Sequence, residues 1–282
     1  MQSYIYIEDT LKLFLSSLYY TKLIDPIKYI YMSLNKKLIP LNLNLNDQNN
    51  KDEKIVKILL NYIRIFSKKD SNFNNSNAFG GFNWNTNTKN SGNKRIITNI
   101  FEIIDKNENK LGKDNNKRIL LFHGTKTQNI LGILSKGLLI APIESESSGN
   151  RFGSGIYLTD SFNKSLGYAS SDKKKYILLV DTFLDKVYQY KQKDGSLNLK
   201  DLKKKGYNCL INDAKNKVSF EDRIFFNNGM TIPTKIIEDN KDEGNNFNSF
   251  GFGFGSGKDS DTEYVIYDSK LVNIKYIIEV EN

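Results

Sequence analysis

His123 is the only imidazole in the chain, and it closes an apolar run directly before Gly124-Thr125. A glycine at that point lets a ligand approach the main chain, whose N–H and C=O can together bind a primary amide. Tyr157 lies late in a Gly-x-Gly-Ile-Tyr segment, and Ser165 and Tyr168 follow at i, i+3 spacing. On a helix that spacing puts both side chains on one face. Two tyrosine rings and a serine hydroxyl beside an accessible backbone edge could stack on and hydrogen-bond a flat, amide-bearing heterocycle. Each tyrosine alone would serve equally well in a core, since the chain holds 16 of them. The combination points to a ligand.

Other chemistries are poorly supplied. One cysteine, Cys209, excludes a disulfide framework, and a zinc site of the usual type would need it together with His123 and carboxylates. No metal is expected. The lone thiol fits a reducing compartment. Net charge is +9, from 41 Lys and Arg against 32 Asp and Glu, which favours anionic partners without choosing among them. No stretch approaches the roughly 18 uninterrupted apolar residues of a transmembrane helix, so no membrane association is expected. Glu8, Asp9 and Lys12 interrupt what could pass for a signal segment. The sequence reads as soluble and intracellular.

With 282 residues and 39% apolar content the chain can bury a core. Ile7, Leu11, Phe14, Leu15 and Leu18 have the spacing of an amphipathic helix over 4–20, which Asp25-Pro26 ends. Asn50-x-x-Glu53, resembling a capping box, opens a second helix carrying Ile55, Ile58, Leu59, Tyr62 and Phe66. Residues 68–94 are Asn-rich and aperiodic, which predicts a disordered linker. A second such stretch over 238–261 includes alternating Phe and Gly, read as a flexible loop because the glycines do not follow G-x-G-x-x-G. Runs rich in β-branched and aromatic residues predict strands over 118–122, 155–159, 176–182, 264–267 and 274–280. Short helices are expected from Thr127 to Gly137 and from Ser161. Strands and helices do not alternate regularly, so the fold class is α+β.

Four runs carry a resemblance: Leu121-Phe-His-Gly-Thr-Lys-Thr-Gln-Asn129, Gly132–Pro142, Phe152-Gly-Ser-Gly-Ile-Tyr-Leu-Thr-Asp160 and Lys164-Ser-Leu-Gly-Tyr168. With Thr262-Glu-Tyr-Val-Ile-Tyr-Asp268 and Val272–Tyr276, their order resembles the catalytic domain of poly(ADP-ribose) polymerases over about residues 96–282. The resemblance implies an ADP-ribosyltransferase fold, of antiparallel or mixed sheets with flanking helices, over 95–282. Residues 1–67 would be the last part of a helical regulatory domain, and 68–94 the linker. Other regulatory helices and DNA-binding modules have no counterpart in this sequence. High basal activity with little stimulation by broken DNA is therefore expected, and DNA contact is not.

The resemblance also implies roles. NAD would be the substrate and nicotinamide the leaving group. His123, Tyr157 and Glu263 would form the catalytic triad of the family. Gly124 and Ser165 would hold the carboxamide, and Tyr157 and Tyr168 would sandwich the ring. His123 would bond the adenosine ribose, with Thr125 and Asn129 on the adenosine side. Lys164 would approach the Glu263 carboxylate. Protein acceptors, automodification among them, and a nuclear, DNA-repair setting (otherwise a cytoplasmic one) follow the family.

Departures bear on specificity. Gly149-Asn-Arg151 stands where the family often has an aromatic and a Met, and Leu139 where it often has Arg. Chain elongation is the first reading, because Glu263 is retained. Transfer of a single ADP-ribose and a silent NAD- or ADP-ribose-binding module are the alternatives. A fourth is a basic RNA- or DNA-binding protein, suggested by the +9 charge and the clusters Lys173–Lys175 and Lys203–Lys205, with no nucleic-acid motif beside them.

Overall fold

The computed structural model describes residues 36–65, 83–84, 95–140, 151–169, 174–191, 199–212, 214–226, 228–234, 236–238 and 259–281. Its strands begin with β1 (Lys36–Pro40), β2 (Asn83–Trp84), β3 (Arg95–Asp105), β4 (Arg118–Gly124) and β5 (Ile156–Thr159). They continue with β6 (Lys174–Phe183), β7 (Val187–Gln189), β8 (Cys209–Ile211), β9 (Ala214–Val218) and β10 (Arg223–Phe225). The last are β11 (Thr231–Pro233), β12 (Ile236–Glu238), β13 (Asp259–Asp261), β14 (Glu263–Ile266) and β15 (Val272–Glu281). Four α-helices accompany them among the described residues: α1 (Glu53–Ile65), α2 (Ile130–Lys136), α3 (Phe162–Tyr168) and α4 (Leu199–Lys204).

Ten strands form one sheet in the order β1-β3-β15-β6-β4-β5-β14-β8-β7, with β2 also on β3. Its described pairings are antiparallel except β7 with β8. The fold is α+β, as the irregular succession of elements implies. At the centre, β6 is buried from Tyr176 through Thr182 and β15 from Tyr276 through Val280. Continuous burial of both side-chain sets requires cover on both faces. The helices supply part of it. Val56, Leu59, Tyr62 and Ile63 of α1, Ile130 and Leu134 of α2, and Phe162 and Leu166 of α3 join the sheet in one hydrophobic cluster.

The expected helix over 4–20 and most of the Asn-rich segment lie outside the described residues. So does the Phe/Gly run of the second loop. The second expected helix is α1, and the strand β1, which the sequence reading did not anticipate, precedes it. β1 pairs with β3, and α1 packs under the sheet, so both elements share the core of the ten-stranded sheet. The Tyr62 ring stacks on Phe122 with centroids 4.7 Å apart, and its hydroxyl donates to the Leu120 carbonyl at 2.6 Å. Phe122 is the residue before His123, so α1 supports the floor of the site. Tyr62→Phe keeps the stack and leaves a buried acceptor short of one bond. A stability loss of about 1 kcal/mol in denaturant unfolding is expected.

No helix among the described residues is long and apolar enough to cross a membrane.

Candidate active site

β4 and β5 pair at one position, Phe122 with Thr159. Beyond it, His123 and Gly124 keep β6 as their strand partner on the other side. The half-buried His123 ring bridges toward β5, its Nδ1 lying 2.8 Å from the Tyr157 carbonyl. A carbonyl only accepts, so Nδ1 carries the proton and donates. Burial pushes the imidazole pKa below its usual value, and the bond to Tyr157 offsets only part of that. His123 is thus a neutral imidazole whose Nε2 offers a lone pair, suited to accept from a hydroxyl.

The sequence reading assigned Gly124 to ligand approach; the structure supplies another reason for glycine. A Cβ on Gly124 would lie 1.7 Å from the Ser165 carbonyl oxygen. Helix α3 lies against β4 so closely that only glycine fits between them. α3 starts where Ser161 accepts a hydrogen bond from the Lys164 N–H at 3.2 Å, a side-chain N-cap. One turn later Ser165 is buried, and its hydroxyl donates to the Phe162 carbonyl at 2.9 Å. Its lone pairs can still accept from an amide N–H. Tyr168 ends the helix with 47% of its surface exposed.

Tyr157 is half-buried, and its hydroxyl is engaged. It donates to the Gly153 carbonyl at 2.8 Å and accepts from the Phe152 N–H at 3.0 Å. Burial is the largest influence on its phenol and pushes the pKa up to about 12; Glu263 and Tyr168 raise it too and so lie nearby. The Phe152 carbonyl accepts from the Tyr267 hydroxyl at 2.7 Å. Two tyrosines therefore fix the segment that begins with Arg151. The Arg151 guanidinium sits 5.0 Å from the centre of the Phe152 ring and 5.9 Å from that of Tyr190. Leu139, the other departure, is 61% exposed.

Glu263 opens β14 opposite Thr159. Its Oε1 lies 2.9 Å from the Lys164 ammonium, both side chains being mostly buried. The second carboxylate oxygen remains available for a ligand hydroxyl. Asn212 holds the Glu263 backbone on both sides: its Oδ1 accepts from the Glu263 N–H at 2.7 Å, and its own N–H donates to the Glu263 carbonyl at 3.2 Å. Thr125 accepts from the Asn129 amide at 3.0 Å, and this pair lies just past His123 at the surface.

All nine candidate residues fall in one neighbourhood, joined by the His123–Tyr157 bond, the Gly124–Ser165 contact and the Lys164–Glu263 pair. Sequence reasoning missed two buried polar groups, Asn212 and Asp160. Asp160 closes one of the motif runs, but nothing in a one-dimensional pattern signals that its carboxyl is buried. No group of three or more His, Cys, Asp or Glu able to hold a metal occurs among the described residues. The arrangement offers two neighbouring tyrosine rings, a neutral imidazole acceptor and a lysine-tethered carboxylate.

A family model described as the poly(ADP-ribose) polymerase catalytic domain matches residues 82–282. The chain is similar to poly [ADP-ribose] polymerase 1 of Danio rerio, 32% identical over 169 residues, which are 58% of this chain and 15% of that protein. It is similar to poly [ADP-ribose] polymerase tankyrase of Caenorhabditis elegans, 43% identical over 106 residues, 35% of this chain and 5% of the relative. Poly [ADP-ribose] polymerase 2 of Homo sapiens is 27% identical over 195 residues, 66% of this chain and 30% of its own length. The chain spans less than a third of each of these relatives.

Proposed function

Because the chain belongs to the poly(ADP-ribose) polymerase catalytic-domain family, we propose that it is an NAD-dependent protein ADP-ribosyltransferase. The observation that carries the proposal is the Glu263 carboxylate, 2.9 Å from Lys164, on the site that also holds the Tyr157 ring and the exposed Tyr168 ring. A carboxylate beside a slot for a flat leaving group is what cleavage of a nicotinamide–ribose bond requires.

Nicotinamide would lie between Tyr157 and Tyr168, its carboxamide on the Gly124 backbone and the Ser165 hydroxyl. The His123 Nε2 would accept from a ribose hydroxyl on the adenosine side, with Thr125 and Asn129 beyond. As the C–N bond breaks, its electron pair moves to the ring nitrogen, and the ribose develops oxocarbenium character. Glu263 would accept from the 2′-hydroxyl of that ribose and oppose the developing positive charge. The incoming acceptor loses its proton to the same carboxylate and bonds to the anomeric carbon.

Acceptors on proteins, this chain among them, a nuclear location, and a regulatory role for residues 1–67 joined through the 68–94 linker belong to the same proposal. Because β1 and α1 pack in the core of the sheet, any regulation by residues 36–65 would act through that core. Repeated transfer, giving chains, is favoured over single transfer by the retained Glu263. Incubation with labelled NAD, read on a gel, distinguishes them. A smear supports elongation, one sharp band supports single transfer, and no label overturns the enzymatic reading in favour of a binding module.

Tyr168→Ala tests the slot. Stacking contributes ~0.5–1.5 kcal/mol beyond the area buried, so binding of NAD and of benzamide-like compounds should weaken together, by about tenfold. Unchanged benzamide affinity by calorimetry, in a folded variant, would remove Tyr168 from the slot.

A further inference from the structure

Three carboxyl side chains are almost fully buried among the described residues: Asp160, Asp181 and Glu279. Two of them have cations. Asp181 pairs with Arg118, and Glu279 receives Lys174, Thr98, Asn99 and the Tyr176 hydroxyl. Asp160 is different. It accepts from the Tyr264 hydroxyl at 3.2 Å, from the Thr262 hydroxyl and from its own backbone N–H. Thr262 and Tyr264 are the two neighbours of Glu263 in the chain. In an extended strand, successive side chains point to opposite faces, so Asp160 grips from the buried side the backbone that presents Glu263 on the other.

The residues around Asp160 reinforce this link. Thr159, before it, donates through its hydroxyl to the Thr262 carbonyl at 2.8 Å and accepts from the Ser161 N–H at 3.0 Å. Ser161, after it, caps α3, the helix that carries Lys164, Ser165 and Tyr168. The tripeptide Thr159-Asp160-Ser161 therefore joins the element bearing the slot to the strand bearing the carboxylate.

We infer that Asp160 is a positioning residue that sets the Glu263 carboxylate relative to helix α3 through its bonds to Thr262 and Tyr264. The inference rests on the proposed catalytic role of Glu263. Its chemistry suits the task. Burial is the largest influence on Asp160 and pushes its carboxyl up to about 7, with the charge of Asp261 adding to the rise and the bonds from Thr262, Tyr264 and its own N–H opposing it. Tyr62 from α1 and Tyr264 from β14, the latter near Arg223 of β10, are the other titratable groups around it. Held near 7, the carboxyl is only partly ionised at neutral pH, so it keeps its donors while placing less negative charge behind Glu263 than an ordinary carboxylate would. Because the folded pKa lies above the unfolded value of 3.8, its contribution to stability is complete below that value and is lost as pH climbs through about 7.

The test is steady-state turnover of labelled NAD by Asp160→Ala, Asp160→Asn, Tyr264→Phe and Glu263→Gln, each checked by thermal melting, with Asp160→Ala also built on Glu263→Gln. Asp160→Ala should lower kcat about tenfold with little change in KM for NAD. Tyr264→Phe, which is isosteric and removes one tether, should lower kcat several-fold. Asp160→Asn, which can still accept and donate, should recover most of the rate and flatten any inflection near pH 7. In the Glu263→Gln background, Asp160→Ala should cost nothing more, since a positioning residue acts only through the group it positions. If Glu263→Gln slows transfer about a hundredfold or more while Asp160→Ala and Tyr264→Phe turn over at wild-type kcat, the inference fails and the proposed function stands. Losses from Asp160→Ala that are fully additive with Glu263→Gln also overturn it, because they mark a structural role. If Glu263→Gln itself leaves transfer unchanged, the functional reading fails first.

Discussion

Glu263→Gln should slow ADP-ribosyl transfer by about a hundred- to a thousandfold while leaving the affinity for benzamide-like ligands almost unchanged. The substitution keeps side-chain length and one acceptor oxygen but removes the negative charge. Losing one preorganised electrostatic contact to a transition state typically costs ~2.7–4 kcal/mol, which sets the size of the effect. Ligands of the aromatic slot would meet Tyr157, Tyr168, Gly124 and Ser165, none of which is Glu263, so their binding is the internal control. The Lys164 ammonium would lose the negative charge of its 2.9 Å partner. Both side chains are mostly buried, so removing one charge leaves the other without its counter-charge, and a fall in melting temperature is expected beside the kinetic loss. Elongation should suffer more than initiation, because a ribose hydroxyl needs deprotonation more than an acidic side chain does. Wild-type polymer synthesis by the variant would take Glu263 out of the reaction.

The same residue shows how far sequence carries and where it stops. The runs around His123, Tyr157, Ser165–Tyr168 and Glu263 are legible because each is a local pattern on one element. The central strands β4, β6 and β15 are legible too, since burial on both faces writes a continuous apolar run. The strand β1 is not. Lys36, Lys37 and Pro40 in five residues are the chemistry of a sheet edge, and an edge strand carries little hydrophobic signal. β3 breaks its alternation with Thr98 and Asn99, which turn out to serve the buried Glu279 across the sheet. Asn212 and Asp160 are invisible for a related reason. Their partners are Glu263 and its two neighbours, and only the pairing of β14 with β5 and β8 brings them together. Strand register is a property of the assembled sheet, so the polar groups that depend on it do not appear in a linear motif.

Gly124 is the converse case, a residue legible in the motif for a reason the structure extends. Gly124→Ala should lower both melting temperature and turnover, the latter by about a hundredfold. The added methyl would lie 1.7 Å from the Ser165 carbonyl oxygen, 2.5 Å from its carbonyl carbon and 2.9 Å from its Cα. These are backbone atoms of a helix, so no side-chain rotation relieves the clash, and α3 must move away from β4. Overpacking of this kind typically costs ~1–3 kcal/mol of stability. The kinetic cost follows from what α3 carries. Moving Ser165 and Tyr168 opens the slot, and moving Lys164 breaks its contact with Glu263. A displacement of about 1 Å at reacting groups can cost on the order of a hundredfold in rate. Gly132→Ala is the matched control. Gly132 sits inside α2 with nothing within 4 Å of an added Cβ, so alanine there should stabilise by ~0.5–1 kcal/mol and leave turnover alone. If Gly124→Ala melts and turns over like the wild-type chain, the close seating of α3 on β4 is not what holds the site together.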